Sequence, residues 1–239
     1  MGKLDEVAYF KNIGEAGRQH AANKPFSDPQ CGTYLLDMGM VFSLLPPPPA
    51  RILDLGVGTG WTSVFLAKRG HEVIGQDISE EGISLAFQNK AKAELTNLDF
   101  IVSDYENLRF DQEFDAALFY DCLHHAEDAE QALASVFRAL KPQGLCITIE
   151  PGKGHGSTEL SAVVKKEWGV TEKDMPPKTI ARIARKVGFR GSQVYLRVPR
   201  PIALPSPFSL LGHLQTLRVF TRWFPLASMN QSNIVVLTK

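Results

Sequence analysis

Several features that define particular protein classes are missing from this sequence of 239 residues. It has no run of about 18 apolar residues, so we expect no membrane-spanning helix. Its three cysteines are odd in number and widely spaced, so neither a disulfide framework nor a zinc-binding CxxC pair is indicated. The first residues, MGKLDEVAYFKN, contain no apolar segment typical of a secretory signal. We therefore expect a cytoplasmic protein with reduced thiols and no metal site.

Net charge is also missing, because 26 basic and 26 acidic residues cancel. The charges are, however, distributed unevenly along the chain. Asp174 is the last acidic residue, so residues 175–239 carry +10 and residues 1–174 carry −10. A basic rim formed by the last part of the chain could attract an anionic small molecule or an acidic membrane surface. The alternative is charge complementarity between the two parts of the chain. No sequence motif indicates nucleic-acid binding.

Apolar runs alternate with helical segments in the middle of the chain, which is typical of an α/β protein with a mostly parallel sheet. The pattern predicts five strands there, at 52–55, 72–76, 100–102, 116–120 and 145–149. It predicts helices between them at 61–69, 80–94 and 129–140. Two further helices are expected at 4–22 and 30–45, before four consecutive prolines. A helix at 178–187 and strands at 192–198 and 233–238 complete the prediction.

The clearest motif joins the first predicted strand to the next helix: Arg51-Ile-Leu-Asp54-Leu-Gly56-Val-Gly58-Thr-Gly60-Trp61. Glycine permits a tight turn and lets a ligand approach the backbone closely. In an open α/β sheet, ligands bind at this carboxyl end of the strands. The nicotinamide fingerprint GxGxxG requires a third glycine where this chain has tryptophan, so an oxidoreductase is the weaker alternative.

The run Asp-x-Gly-x-Gly-x-Gly resembles the first motif of class I S-adenosylmethionine (SAM)-dependent methyltransferases, and the resemblance continues to Glu150. The stretches FDAALFYDCLHH (114–125) and LKPQG (140–144) resemble the small-molecule branch that includes the ubiquinone and menaquinone methyltransferases. The resemblance implies a Rossmann-like, doubly wound, seven-stranded sheet whose last strand is antiparallel and lies beside the sixth. It also implies SAM as the methyl donor and S-adenosylhomocysteine (SAH) as the product.

The resemblance further implies a set of cofactor-binding residues. Asp77 follows Gly56 by 21 positions, where an acid accepts hydrogen bonds from the ribose hydroxyls. Ile78 would lie against the adenine, and Asp104 would contact the adenine amino group. The residues at the end of the fourth strand would face the methionine part. The full set is Asp54, Gly56, Gly58, Gly60, Asp77, Ile78, Asp104, Tyr105, Asp121 and Cys122.

Methyl transfer is an in-line displacement, so positioning contributes most of the catalysis. A hydroxyl acceptor would also profit from a general base, for which the ordinary pKa of histidine is suitable. The candidates are His124 and His125 after the fourth strand, His155 in a glycine-rich loop, and Glu150 at the end of the fifth strand. Each of them could instead pack, cap a helix or pair with a neighbouring charge. A non-catalytic SAM-binding regulatory or interaction protein is therefore a second alternative.

We predict one methyltransferase domain over 1–239, with a helical cap at 1–49, a SAM-binding core at 50–150 and an acceptor-side half at 151–239. The expected reaction is methylation of a small molecule, at oxygen. An amphipathic helix is predicted over 208–224, inside a proline-rich insertion at 199–230. It would close over the acceptor as a lid, lie on a membrane surface, or pack on the domain or on a second subunit of a homodimer. A lipid-linked acceptor is compatible with the same pattern.

Overall fold

The computed structural model describes residues 3–169, 171–197 and 232–239. Three helices precede the sheet, namely α1 (Lys3–Asn12), α2 (Gly14–Ala22) and α3 (Cys31–Leu44). The single helix predicted over 4–22 is thus divided in two. The division falls at Gly14, whose φ of +69° lies in the left-handed region that interrupts a helix. The predicted helix over 208–224 lies outside the described residues.

Strands and helices then alternate as predicted. The strands are β1 (Arg51–Leu55), β2 (Glu72–Asp77), β3 (Leu98–Val102), β4 (Phe114–Tyr120), β5 (Leu140–Ile149), β6 (Gly191–Tyr195) and β7 (Ile234–Thr238). The helices are α4 (Trp61–Lys68), α5 (Glu80–Lys92), α6 (Ala129–Ala139), α7 (Glu159–Trp168) and α8 (Pro177–Val187). The sequence analysis did not predict α7.

The seven strands form one sheet in the order β3-β2-β1-β4-β5-β7-β6. Neighbouring strands from β3 to β5 are parallel, and β7 pairs antiparallel with both β5 and β6. The predicted Rossmann-like fold with its antiparallel last strand is confirmed. Because β1, β2 and β4 run in the same direction, the segments that follow them meet at one edge of the sheet.

The side chains of β1 alternate between two apolar layers. Leu53 packs in the layer that contains α6 and α8, whereas Ile52 packs in the layer that contains α3 and α4. Both side chains are fully buried, as expected for a parallel strand covered by helices on both faces. The covered sheet is therefore a rigid support for the segments at its carboxyl edge.

The predicted turn at Lys141–Gly144 is instead part of β5, next to an irregularity in the pairing of β4 with β5. Gln143 has a φ of +66° there, a conformation that the family's usual glycine adopts without strain. This departure from the family pattern is therefore accommodated within a strand bulge rather than in a free loop.

One buried ion pair connects the N-terminal helices to the far side of the sheet. The guanidinium of Arg197 donates from Nε and Nη2 to the two carboxylate oxygens of Asp37, at 2.8 and 2.6 Å. Tyr120 donates to the same carboxylate at 2.7 Å. Arg197 also donates from its backbone N–H to Asn233 and from Nη1 to Ser232. The charge of Arg197 is therefore paired inside the protein and does not contribute to a free basic rim.

None of the helices in the described ranges is long and apolar enough to cross a membrane.

Candidate active site

A cavity of about 590 Å³ opens at the carboxyl edge of the sheet. One end lies over the glycine-rich turn after β1 and over Asp77 at the end of β2. The other end lies against His125 and Glu172. Helix α1 covers the space between them with Glu6 and Tyr9, among other residues. The two ends are called here the glycine-turn end and the histidine end.

At the glycine-turn end, the backbone itself forms the wall of the cavity. Gly56 and Gly58 have φ angles of +62° and +52°. A Cβ atom on Gly56 would lie 2.6 Å from the Cβ of Cys122, and one on Gly58 would lie 2.9 Å from the ring of Phe10. Only glycine therefore fits at either position, and the exposed peptide groups form a cradle for a ligand.

The carboxylate of Asp77 holds this turn against the end of β2. One oxygen accepts from the N–H of Gly58 at 2.7 Å, and the other accepts from the N–H of Ser79 at 2.9 Å. Burial raises the pKa of Asp77, and the hydrogen bonds from the backbone oppose that effect. The carboxylate also accepts from the N–H of Ile78, which leaves it an acceptor site for a hydroxyl group of a bound ribose.

Asp54 lies below the turn rather than at the cavity surface. Its Oδ2 accepts from the hydroxyls of Thr62 and Ser63 at 2.7 and 2.6 Å, and these bonds fix the first turn of α4. Its Oδ1 is buried and has no hydrogen-bond partner among the described residues. Burial raises the pKa of Asp54 to about 6. Gly60 precedes α4 in the left-handed conformation and packs on the ring of Phe100.

The remaining predicted cofactor residues border the same cavity. Ile78 follows Asp77, and Asp104 caps a short 3-10 helix by accepting from the N–H of Asn107 at 2.8 Å. Tyr105 donates to the carbonyl of Cys122 at 3.0 Å. All three line the cavity on the side of the glycine turn that lies beyond β2 and β3.

The end of β4 has an unusual backbone. Asp121 has a φ of +55°, which few residues other than glycine, asparagine and aspartate adopt, and its N–H donates to the carbonyl of Ile149 at 2.8 Å. Cys122 follows, and its thiol donates to the carbonyl of Leu55 at 3.0 Å. Burial raises the pKa of this thiol far above its ordinary value. Cys122 is thus a neutral packing group rather than a nucleophile.

At the histidine end, Glu150 organises the loop after β4 from below. Its Oε1 accepts from the N–H groups of Cys122 and Leu123, and its Oε2 accepts from the N–H of His124. The Nδ1 of His124 donates to the same Oε2 at 2.7 Å. Glu150 and His124 are each 2% exposed, so this pair lies behind the cavity wall.

His125 stands in front of that pair and lines the cavity. Its Nδ1 lies 2.5 Å from the carbonyl of Thr171, which can only accept, so Nδ1 carries the proton and Nε2 is the free nitrogen. The N–H of Thr171 donates to Glu6 of α1 at 2.9 Å. Helix α1 and the segment before α8 therefore fix the orientation of the ring together.

Glu172 completes the histidine end. Its Oε2 is hydrogen-bonded to the Nε2 of His155 and lies 3.7 Å from the Nε2 of His124. One ligand atom from each of His124, His125 and Glu172 lies within 4.8 Å of the other two. The cluster thus gathers residues from the β4 loop and from the segment before α8.

The two adjacent histidines differ in pKa. Burial lowers the pKa of His124, but the hydrogen bond and negative charge of Glu150 outweigh burial and raise it to about 9. Burial and the charge of His124 lower the pKa of His125 to about 3. Burial also raises the pKa of Glu6 to about 7. His125 is therefore neutral near pH 7.

Of the four residues predicted as catalytic, His125 is the one found among the cavity-lining residues. His124 and Glu150 lie behind it, and His155 holds Glu172 from the side away from the cavity. The sequence analysis missed Glu6 and Glu172, which both border the cavity. No motif marks either residue. Only the acidic character of the first 174 residues hinted that this part of the chain supplies negative charge to the site.

Comparison with known proteins agrees with this geometry. The sequence profile described as a methyltransferase domain matches residues 53–148. The 2-heptyl-1-hydroxyquinolin-4(1H)-one methyltransferase of Mycobacteroides abscessus is 30% identical over 178 residues, which cover 66% of this chain and 74% of that protein. The chain belongs to the SAM-dependent methyltransferase family. The resemblance expected from the glycine motif is thereby confirmed.

Two further proteins are similar to the chain. The demethylmenaquinone methyltransferase of Thermus thermophilus is 35% identical over 116 residues, which cover 46% of this chain and 52% of that protein. The structure of phosphoethanolamine N-methyltransferase 2 from Haemonchus contortus, solved with S-adenosyl-L-methionine, superposes with a TM-score of 0.67 at 21% identity. It covers 98% of this chain and 58% of that protein, and it shows the common fold. The chain spans only 35–42% of the length of three other curated relatives.

SAM is the cofactor of this family, and the residues of the glycine-turn end fit it. The turn is backbone at which a Cβ would collide with Cys122 or Phe10, and the carboxylate of Asp77 beside it keeps an acceptor site for a ribose hydroxyl. The individual contacts of the predicted cofactor residues stay predictions.

Proposed function

We propose that this protein transfers the methyl group of SAM to a small-molecule acceptor, and that the acceptor atom is a hydroxyl oxygen. The observation that carries the proposal is the single cavity that joins the glycine-turn end to the histidine end. Its volume of about 590 Å³ lies in the range of cavities that hold small ligands. Helix α1 lies across it, which favours an acceptor small enough to enter between α1 and the sheet.

When bound, SAM supplies an electrophilic methyl group on a sulfonium. The glycine turn and Asp77 would hold the adenosine, and Asp104 would contact the adenine. Asp121 and the backbone at Cys122 would face the methionine part. His125 borders the same cavity, so it could hold an acceptor close to the bound cofactor, and such positioning is what methyl transfer chiefly needs.

The histidine end would orient the acceptor, and Glu6, which lines the cavity and has a pKa of about 7, would receive its proton. With Nδ1–H bonded to Thr171, the Nε2 lone pair of His125 is directed away from that carbonyl and is free to accept from a hydroxyl. Glu172 beside it is a second acceptor at the cavity wall. These contacts would hold the oxygen in line with the methyl group, while α1 limits access of water.

The charges at the histidine end limit the kinds of acceptor that can bind there. Glu6 and Glu172 both line this end, which disfavours a strongly anionic acceptor, whereas Tyr9 of α1 offers apolar contact. An aromatic or quinone-like hydroxyl compound fits these surroundings better than a phosphate ester. A lipid-linked acceptor, contact with a membrane surface and a homodimer stay predictions that rest on the sequence alone.

The proposal is tested by a screen of hydroxyl, amine and carbon acceptors with SAM, with the products identified by mass. We expect one methyl group to be added to a hydroxyl compound. We expect His125→Gln to lower the rate by roughly 100-fold or more, while the affinity for SAH stays within about twofold. Glu159→Gln, on the exposed first turn of α7, is the matched control and should keep full activity.

Two outcomes would contradict the proposal. Thermal stabilisation by NADH but not by SAH would show that the cofactor is wrong. Tight SAH binding with no methylated product from any acceptor class would favour the non-catalytic alternative. Methylation at nitrogen would keep the enzyme class and correct the acceptor atom.

A further inference from the structure

We infer that His124, His125 and Glu172 form a binding site for a divalent transition-metal ion at the histidine end of the cavity. No sequence motif indicated such a site, and the expectation of no metal centre rested on the absence of paired cysteines. The three residues come from two segments that are distant in sequence, so their proximity is a property of the fold. The ion would be bound by two imidazole nitrogens and one carboxylate.

The spacing of the ligand atoms suits one ion. The Nε2 of His124 lies 3.7 Å from the Oε2 of Glu172, and one ligand atom of His125 lies within 4.8 Å of both residues. Ligands bound at about 2.1 Å in a tetrahedral arrangement lie roughly 3.4 Å apart. Small side-chain rotations are therefore sufficient to bring the three atoms to coordination distance.

The surroundings of the two histidines are those of metal ligands. A ligating histidine typically donates its other ring N–H to a carboxylate or a backbone carbonyl, which fixes the tautomer and the ring plane. His124 donates from Nδ1 to Glu150 at 2.7 Å, and His125 donates from Nδ1 to the carbonyl of Thr171. These bonds fix both ring planes, and Glu172 is itself oriented by His155. Because the pKa of His124 is raised, its Nε2 proton would be released when the ion binds.

The charge balance also favours a cation here. Three carboxylates, those of Glu6, Glu150 and Glu172, surround the histidines. Among the described residues, their ion-pair partners are all histidines, and no lysine or arginine forms an ion pair with them. A divalent ion would balance this excess of negative charge.

Three protein ligands leave a coordination position open, which is typical of catalytic rather than structural metal sites. The open position would face the cavity, because His125 and Glu172 both line it. This role rests on the proposed function: with the Nε2 lone pair of His125 bound to the ion, the ion would take the place of His125 as the partner of the acceptor oxygen and would favour its deprotonated form. Nitrogen ligands select Zn²⁺, Mn²⁺ or Fe²⁺ over Mg²⁺, which prefers oxygen ligands and retains its water.

The test uses the full chain, freed of metal by a chelator and then dialysed against Zn²⁺, with Mn²⁺ and Mg²⁺ in parallel. Bound metal is measured by elemental mass spectrometry, and Co²⁺ replaces Zn²⁺ for absorption spectra. We expect one equivalent of Zn²⁺ or Mn²⁺ and little Mg²⁺. We expect His125→Gln and Glu172→Gln each to weaken binding by roughly 10-fold or more.

His20→Gln is the matched control. His20 is an exposed histidine of α2 that bonds Asp28 at 3.3 Å, so it reports binding by a surface imidazole. It should keep the full equivalent of metal and the full affinity. A thermal melting curve for each variant separates loss of the site from loss of the fold, since a folded Glu172→Gln protein without metal supports the assignment.

The inference is overturned if the metal-free chain takes up no transition metal. It is also overturned if the folded His125→Gln and Glu172→Gln proteins bind metal as tightly as the unchanged chain. If methyl transfer continued at full rate in excess chelator, the metal ion would have no catalytic role. The proposed function would then still stand. One equivalent of metal in a protein that neither binds SAH nor methylates any acceptor would overturn the proposed function and leave the metal site.

Discussion

The two ends of the cavity are built in different ways. The glycine-turn end is made by contacts between residues close in sequence, such as Asp54 with Thr62 and Ser63, eight and nine positions apart. The histidine end depends on distant partners: Thr171 bonds Glu6 across 165 positions. The turn of the first end is thus a local property of one strand-turn-helix unit, which Asp77, Cys122 and Phe10 complete from other segments. The second end exists only when the whole chain has folded.

The chemistry of the two ends differs in the same way. Bare backbone and one carboxylate form the glycine-turn end, so many side chains around it can change without altering the cradle. Buried, mutually bonded side chains form the histidine end, where each group depends on its partner for solvation. We expect substitutions to act mainly on ligand affinity at the first end and mainly on stability at the second.

The largest effect is expected for Glu150→Ala. This change leaves three backbone N–H groups and the Nδ1–H of His124 without their buried acceptor. We predict a loss of about 3–5 kcal/mol in the free energy of unfolding, measured by urea denaturation. Glu150→Gln retains one acceptor oxygen and should lose less. If Glu150→Ala unfolded at the same urea concentration as the unchanged chain, the histidine end would not depend on this carboxylate.

The next largest effect is a change of the free energy of unfolding with pH, which Asp54 causes at the glycine-turn end. The pKa of Asp54 is about 6 in the folded protein and about 3.9 in an unfolded chain. As the pH rises from about 4 to about 6, the unfolded state loses this proton first. The free energy of unfolding should therefore fall by about 2–3 kcal/mol over that range.

Asp54→Asn carries no titrating proton at this position and isolates the effect. The difference in unfolding free energy between the unchanged chain and Asp54→Asn should shift in favour of the variant between pH 4 and pH 7. Urea denaturation at a series of pH values measures it. Parallel curves for the two proteins would mean that the bonds from Thr62 and Ser63 already offset the cost of burial.

The smallest effect is expected for Asp77→Asn. An asparagine keeps one acceptor oxygen and turns an amide towards a backbone N–H, so the turn and any ribose contact weaken together. We predict a roughly 10-fold loss of SAH affinity by calorimetry, at about 1.4 kcal/mol. Asp99→Asn, on the exposed edge of β3, is the control and should bind SAH unchanged. Equal affinities for all three proteins would place the cofactor elsewhere in the cavity.

This contrast explains what could be predicted from the sequence. The strands, the glycine turn and Asp77 follow from patterns within about 30 residues, where periodicity and turn chemistry dominate. Glu6 and Glu172 could not be predicted, because each lies in a segment without a motif and gains its role by meeting His125 in space. Helix α7 was missed for a related reason, since the glycine-rich stretch 151–156 masked the short helix that follows it.

The bonds of Arg197 bear on how long the connection between β6 and β7 can be. Its bonds to Ser232 and Asn233 hold the entry and exit of residues 198–231 next to each other, and its bond to Asp37 anchors both to α3. The pairing of β6 with β7 therefore does not depend on the number of residues that connect them. Doubling such a connection would cost only about 0.6 kcal/mol in closure entropy. A foreign segment could therefore replace residues 198–231 while the cavity and its sheet stay assembled.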